Sequence, residues 1–171
     1  GLGDVYKRQT TATWTTAIGY QALRDNTTGG NNTAVGRAVV SNTTGSDNSA
    51  LGMNALYYNT TGSNNTAIGA SALFVNTTAS NNTAVGYQAA YANTTGSSIT
   101  AVGVFALGSN TTGVRNTATG ENALASNTTG ADNAAFGRGA AAITSTGSFN
   151  SAFGKDALYS NTTASYNTCL L

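Results

Sequence analysis

Proline and histidine are missing from this chain of 171 residues, and cysteine occurs once, as Cys169. The absence of proline suits a fold in which nearly every backbone N–H donates a hydrogen bond, because proline has no N–H to donate. The absence of histidine removes the side chain most often used for general acid–base chemistry. A single cysteine cannot form an internal disulfide.

Charge is also scarce. Charged residues make up 8% of the chain and the formal net charge is +1, against a charged fraction of about 25% in a typical domain. Nucleic-acid binding needs Lys and Arg to neutralise phosphates, so we expect no nucleic-acid partner. No run of 18 apolar residues occurs, so we expect no membrane span in this chain.

The few acidic side chains show no arrangement suited to catalysis or to metal binding. They mostly stand at non-equivalent places in the sequence pattern, at Asp25, Asp47, Glu121, Asp132 and Asp156. General acid–base work needs a positioned group with a tuned pKa, and the Gly-rich calcium motif of β-rolls is missing. We therefore predict that the chain is not an enzyme and holds no metal and no cofactor.

What the sequence does contain is a tandem repeat, which can be followed along one glycine column. The spacing is 17 residues except for the 16 between Gly36 and Gly52, and alanine always stands two residues before the glycine. A disordered chain could share this Asn-, Thr- and Gly-rich composition, but strict apolar columns speak against disorder. The column consists of Gly19, Gly36, Gly52, Gly69, Gly86, Gly103, Gly120, Gly137 and Gly154.

Two apolar columns accompany the glycine, and we predict that both form the core. The residue directly before the glycine is mostly β-branched or aromatic, which is typical of strands. An Ala–Leu pair follows the glycine, and an Asn-Thr-Thr-Gly turn follows the pair. The predicted core columns are Ile18, Val35, Leu51, Ile68, Val85, Val102, Phe136 and Phe153, and then Leu23, Leu56, Leu73, Leu107, Leu124 and Leu158. The alanines before the first column are then expected to face outward, where copies of the chain could pack.

A unit of this length cannot close a core alone. At about 3.3 Å per extended residue, 17 residues span roughly 56 Å, which is enough for one flattened coil with two apolar segments and two corners. Stacking of coils through parallel ladders would bury the columns. The sequence thus predicts an all-β fold, a single β-solenoid (parallel β-roll or β-helix) of about nine coils over residues 10–168. Residues 1–9 and 169–171 depart from the repeat and resemble translated sequencing-adapter sequence, so we expect them not to belong to the solenoid.

The Asn-Thr-Thr column is the sharpest functional candidate. Its members begin Asn-x-Thr glycosylation acceptors, as do Asn31, Asn64 and Asn81; alternatively, they stack as a hydrogen-bonded ladder that needs no modification. A third hypothesis is ice binding by Asn26 and Thr28 with their counterparts, because residues two apart could share one face. The column consists of Asn26, Asn42, Asn59, Asn76, Asn93, Asn110, Asn127 and Asn161.

The phrase Asn-Thr-Ala-Ile-Gly at 65–69, with near copies at 32–36 and 82–86, resembles the head repeats of trimeric autotransporter adhesins and repeats of phage tail-fibre proteins. The resemblance implies a parallel β-roll, a homo-oligomer (a trimer or a filament) and a location outside the cell, on its surface or on a virion. We therefore expect a non-enzymatic fibre or stalk module. The alternatives are a filament subunit coated with surface glycans and an ice-binding β-solenoid.

Overall fold

The computed structural model describes residues 11–39 and 41–171, and in these ranges it contains strands and turns but no helix. Ten strands of three residues each follow one another at the spacing of the repeat. They are β1 (Thr16–Ile18), β2 (Thr33–Val35), β3 (Ser49–Leu51), β4 (Thr66–Ile68), β5 (Thr83–Val85), β6 (Thr100–Val102), β7 (Thr117–Thr119), β8 (Ala134–Phe136), β9 (Ser151–Phe153) and β10 (Thr168–Leu170).

The strands form one parallel sheet in sequence order, β1 to β10. The register sets equivalent residues of neighbouring units side by side, so that Ala67 pairs with Ala84 and Ile68 pairs with Val85. The predicted β-solenoid of about nine stacked coils of about 17 residues is therefore confirmed.

The Ala–Leu pair forms a corner and not a second extended segment. Leu73 has a left-handed φ of 49°, and its backbone N–H donates to the Ala89 carbonyl of the next coil at 3.0 Å. Further on, the N–H of Thr77 donates to the Thr94 carbonyl at 3.2 Å, and the N–H of Asn81 donates to the Ser63 carbonyl at 3.0 Å. Hydrogen bonds between coils therefore continue outside the strands.

The second predicted core column is buried. Leu23, Leu56, Leu73, Leu107 and Leu124 are fully buried, and Leu158 is partly buried against the same cluster. They pack with the alanines of the corners and with the central alanines of the strands.

The prediction for the first column is wrong. Ile18 is 60% exposed and Leu51 49%, because a three-residue strand turns its middle side chain inward and its first and third side chains outward. The middle residue is the alanine, which the narrow coil can accommodate opposite the corner leucine. The alanines therefore do not form the outer surface that the sequence suggested. Ile18, Leu51, Ile68, Phe136 and Phe153 are exposed, and Val35, Val85 and Val102 are half-buried.

The glycine column is required by the stacking itself. Gly86 has a φ of 137°, and a Cβ built on it would lie 2.5 Å from the Gly103 carbonyl oxygen of the next coil. Only a residue without a side chain fits where successive coils approach so closely. The periodic glycine thus marks a place where neighbouring coils approach too closely to admit a side chain.

The predicted array boundary at residue 168 differs from the structure. Cys169 and Leu170 lie in β10, where they pair with Ala152 and Phe153 of β9, and Cys169 packs against the core. Ordered stacking therefore extends to the end of β10. The expectation for residues 1–9 lies outside the described residues.

Candidate functional site

The Asn-Thr-Thr asparagines form an internal ladder. The Asn59 Nδ2 group donates to Asn42 Oδ1 at 2.8 Å and to the Gly62 carbonyl at 2.9 Å, so both amide hydrogens are used. The same pattern joins neighbouring coils along the column. The ladder hypothesis is confirmed for the seven fully buried members, Asn26, Asn42, Asn59, Asn76, Asn93, Asn110 and Asn127.

Burial rules out glycans on those seven asparagines in the folded chain. An attached sugar would need the Nδ2 atom at the surface, whereas these atoms are enclosed and hydrogen-bonded. Asn161 differs, since it is only partly buried and its Nδ2 donates to the Ala164 carbonyl at 3.0 Å. The exposed acceptor asparagines are Asn31, Asn64 and Asn81.

A second asparagine ladder, which sequence reasoning missed, runs through the first residue of the Asn-Thr-Ala-Ile-Gly phrase. Asn48 Oδ1 accepts from the Asn65 backbone N–H at 3.0 Å, and Asn65 Nδ2 donates to the Ala79 carbonyl at 2.9 Å. The recurrence of this asparagine was the available signal. Its buried members are Asn32, Asn48, Asn65, Asn82, Asn116, Asn133 and Asn150.

Each ladder has one interruption. Ile99 replaces asparagine in the second ladder, and Thr144 replaces it in the first. At the Thr144 interruption, Asn127 Oδ1 and Thr144 Oγ1 are buried without a hydrogen-bond partner. An unsatisfied buried acceptor costs about 1–3 kcal/mol, so this coil junction is a weak point of the stack.

The ice-binding array predicted from Asn26 and Thr28 does not form. Asn26 is fully buried whereas Thr28 is exposed, so the two side chains do not share a surface. The intervening Thr27 hydroxyl donates to the Thr43 carbonyl at 2.8 Å.

The outer surface of the strands, which we call the sheet face, carries two rows of side chains. The first strand position is Thr, Ser or Ala, and the third is apolar except at Thr119; none of these outward residues is charged. The residue directly after each column glycine borders the face on one side. It is apolar or aromatic and exposed at Tyr20, Met53, Tyr87 and Val104, and it is charged and exposed at Arg37, Glu121, Arg138 and Lys155. Ten strands at about 4.8 Å and a width of about four residues give an area on the order of 600 Å².

Tyr57, Phe74 and Tyr91 occupy equivalent positions in three successive coils and form an aromatic stack. Tyr57 and Phe74 have ring centroids 5.7 Å apart, and Phe74 and Tyr91 are 5.2 Å apart. Arg37 lies 5.1 Å from the Tyr57 ring centroid and donates to its hydroxyl at 3.0 Å. Because these rings cover one another, they stabilise the edge of the stack and offer little free ring surface to a ligand.

The charged residues occur as separate pairs. Arg115 makes two hydrogen bonds to Asp132, at 2.6 and 2.8 Å; these bonds lower the pKa of Asp132 and raise that of Arg115. The hydrogen bond to Asp25 likewise raises the pKa of Arg24. In residues 11–39 and 41–171, no three Asp, Glu or Cys side chains lie close enough together to hold a metal ion.

Comparison of the chain with protein families, with curated proteins and with solved structures finds no match. Across the described part of the chain, no helix has the length and apolar character needed to cross a membrane. The fold and its surfaces are therefore the basis for the function proposed next.

Proposed function

We propose that this repeat array is a non-enzymatic structural module of an extracellular fibre or stalk, as in a surface adhesin or a virion tail fibre, and that copies associate through the sheet face. The observation that carries the proposal is the continuous sheet face, whose outward strand residues are uncharged and form one row of mostly Thr and Ser beside one row of mostly apolar side chains. Exposed apolar patches of this size on soluble proteins commonly mark interaction sites.

The size and regularity of the sheet face favour another copy of the chain as its partner. A standard interface buries about 800 Å² per partner, and the sheet face offers on the order of 600 Å². Its rows repeat at every coil, so two or three copies in register can match identical rows over the whole length. This contact uses the outward third-position side chains, such as exposed Ile68 and half-buried Val85, and not the buried alanines.

A mechanical role fits the distribution of the bonds. Backbone hydrogen bonds join each coil to the next both in the strands and at the corners, and the asparagine ladders add a further row inside. Such a stack resists bending and extends with the number of units. It would hold a binding tip at a fixed distance from the surface that bears it.

Sedimentation velocity tests the association. The wild-type chain should sediment as an oligomer, and Ile68→Lys with Val85→Lys should give a monomer, because two charges per copy would be buried in the contact. The matched control is Thr78→Lys with Thr95→Lys, which adds the same charge at exposed corners of the same coils. A monomeric wild-type chain at high concentration would contradict the proposal.

Ice binding is the second candidate, now on the sheet face. There the Thr66, Thr83 and Thr100 side chains point outward in one row at about 4.8 Å spacing, beside a row of methyl groups. Thermal hysteresis measured on the purified chain and on Thr83→Lys tests it. We expect hysteresis that the substitution abolishes if ice is the ligand; no hysteresis in the wild-type chain excludes it.

In the alternative of a glycan-coated filament, the glycans would be attached at the exposed acceptor asparagines. Asn31, Asn64 and Asn81 are exposed at a corner with left-handed φ between 56° and 63°. Intact-mass measurement of the chain secreted from a glycosylating host, compared with Asn64→Gln and Asn81→Gln, tests attachment at these sites.

A further inference from the structure

One side of the last coils carries a groove. Its lining includes Asn122, Ala125, Arg138, Ala142, Asp156 and Tyr159, and its volume is about 240 Å³. Arg138, Asp156 and Tyr159 also line an adjoining depression of about 410 Å³. The two together form one continuous concave surface around these three side chains.

The groove follows from a change of residue size within one column. The column that holds Tyr57, Phe74 and Tyr91 continues with Gly108, Ala125 and Ala142 and becomes aromatic again at Tyr159. Phe105 covers the position of Gly108, since a Cβ built there would lie 2.6 Å from its ring. The two coils with Ala125 and Ala142 have no such aromatic cover. In the neighbouring column the buried Gly139 has no side chain of its own, and the Asp156 carboxylate of the next coil lies over it.

The chemistry of the rim combines one exposed aromatic ring with paired donors and acceptors. Tyr159 is 47% exposed, and Asn122 offers both an amide donor and a carbonyl acceptor. Arg138 supplies donors and Asp156 supplies acceptors. Asn122 and Asp156 are separated by two coils, which is a distance of about 10 Å along the stack. A floor of alanine with such a rim can accept a molecule that has an apolar face and several hydroxyl groups.

Charge balance argues against an ionic ligand. Arg138 Nε lies 3.7 Å from Glu121 Oε2, and Lys155 Nζ lies 3.8 Å from Asp156 Oδ2. Two cations and two carboxylates leave the rim without net charge, so neither an anion nor a cation is attracted over long range. We propose that this groove binds a neutral saccharide of one to three sugar units, with the sugar ring on Tyr159 and its hydroxyl groups bonded to Asn122, Arg138 and Asp156.

The test is titration of the ¹⁵N-labelled chain with cellotriose, maltotriose, mannotriose and chitotriose, followed through the backbone amides of Gly139 and Ala142. We expect saturable shifts with at least one of the four. Tyr159→Ala should then weaken binding about tenfold or more, which corresponds to about 1.4 kcal/mol. The matched control is Tyr20→Ala, which removes another exposed tyrosine and should leave binding unchanged.

A second variant separates loss of the site from loss of the fold. Ala142→Tyr places a ring beside Tyr159, as in the stack of Phe74 on Tyr91, and should block the groove without lowering the unfolding midpoint. No shift with any neutral trisaccharide, tighter binding of an anionic one such as sialyllactose, or equal loss in Tyr20→Ala would overturn the proposal. The groove uses no outward strand residue of the sheet face, and the variants Tyr159→Ala and Ala142→Tyr both lie outside that face, so this result is independent of the association test above.

Discussion

At the scale of single residues, this fold accepts backbone strain in order to bury side chains. The corner leucines have φ near +50°, a conformation that costs a non-glycine residue about 1–2 kcal/mol. Burying a leucine side chain contributes about 1.5–3 kcal/mol, and the hydrogen bond from Leu73 to Ala89 adds to it. Burial therefore offsets the strain, which explains why leucine stands at a position that glycine or asparagine would occupy on a surface.

Repair of the broken ladder should stabilise the chain. Thr144→Asn would supply an amide that donates to the unpaired Asn127 Oδ1 and to the Gly147 carbonyl, as in the other coils. We expect the free energy of unfolding to rise by about 1–2 kcal/mol, measured by urea denaturation. Thr146→Asn, at an exposed neighbouring position, is the control and should change little. A destabilised Thr144→Asn would contradict the importance of the ladder.

A methyl group on the glycine column should have the opposite effect. Gly86→Ala forces a Cβ against the Gly103 carbonyl and strains a φ of 137°. We expect a loss of about 3 kcal/mol or more in unfolding free energy. Thr95→Ala, at an exposed position nearby, should stay within about 0.5 kcal/mol of the wild type. Equal stability of the two variants would show that the coils can move apart at no cost.

At the scale of the element, the stable unit is the pair of neighbouring coils. A strand of three residues has too few hydrogen bonds to persist alone, and each coil finds its partners in the coils on either side. Stability then grows with the number of coil–coil contacts and not with any single core. The unit of insertion or deletion should accordingly be one whole coil.

Removal of one complete coil tests this view. Deletion of residues 66–82 removes one coil and joins Asn65 to Thr83. Asn65 then takes the place of the equivalent Asn82 directly before β5, so the remaining strands can pair as before. We expect retention of cooperative unfolding, with a urea m-value lower by about one ninth because less surface is exposed. Deletion of residues 66–73 breaks the register and should abolish cooperative unfolding, as followed by circular dichroism. Identical behaviour of the two deletions would exclude stacking by whole coils.

At the scale of the whole molecule, uncharged interactions hold the stack together. With 8% charged residues and no histidine, few groups can change their protonation between the folded and unfolded states. The buried interior consists mainly of alanine, leucine and asparagine, with Val39, Ile99 and Thr144, and none of these side chains titrates. The same composition leaves the sheet face uncharged, so the property that makes the stack insensitive to pH also makes its surface able to associate.

Stability should therefore change little from pH 9 to pH 5, and a small loss should appear only in acid. The pKa of Asp132 is lowered by its hydrogen bonds to Arg115, so its contribution is present above the unfolded-state pKa and is lost as the pH falls through the lower folded-state value. Urea midpoints at pH 7 and pH 3 measure this loss. Asp132→Asn should reduce the difference, and a large change between pH 9 and pH 5 would contradict this account.

The sequence by itself determined the period, the parallel stacking and the Asn-Thr-Thr-Gly turn, because similar units of about 17 residues can bury their apolar columns only on one another. It also determined that successive strand residues point in opposite directions. It did not determine which of them points inward, since the alanine column and the Ile68–Val85 column are both apolar and a slip of one residue exchanges the two faces. The tertiary structure determines which residue points inward. The narrow coil has room for alanine opposite leucine, so the larger side chains of the strand lie outside.

The asparagines and the groove also separate what the sequence determined from what the tertiary structure determined. The regular Asn-Thr-Thr spacing predicted either a ladder or a row of glycans, and only the burial of the amides in the closed coil decided for the ladder. The recurring asparagine was a signal for the second ladder, whereas the groove beside Tyr159 depends on side chains brought together from neighbouring coils. No local pattern contains that information, because the contacts exist only once the coils have stacked.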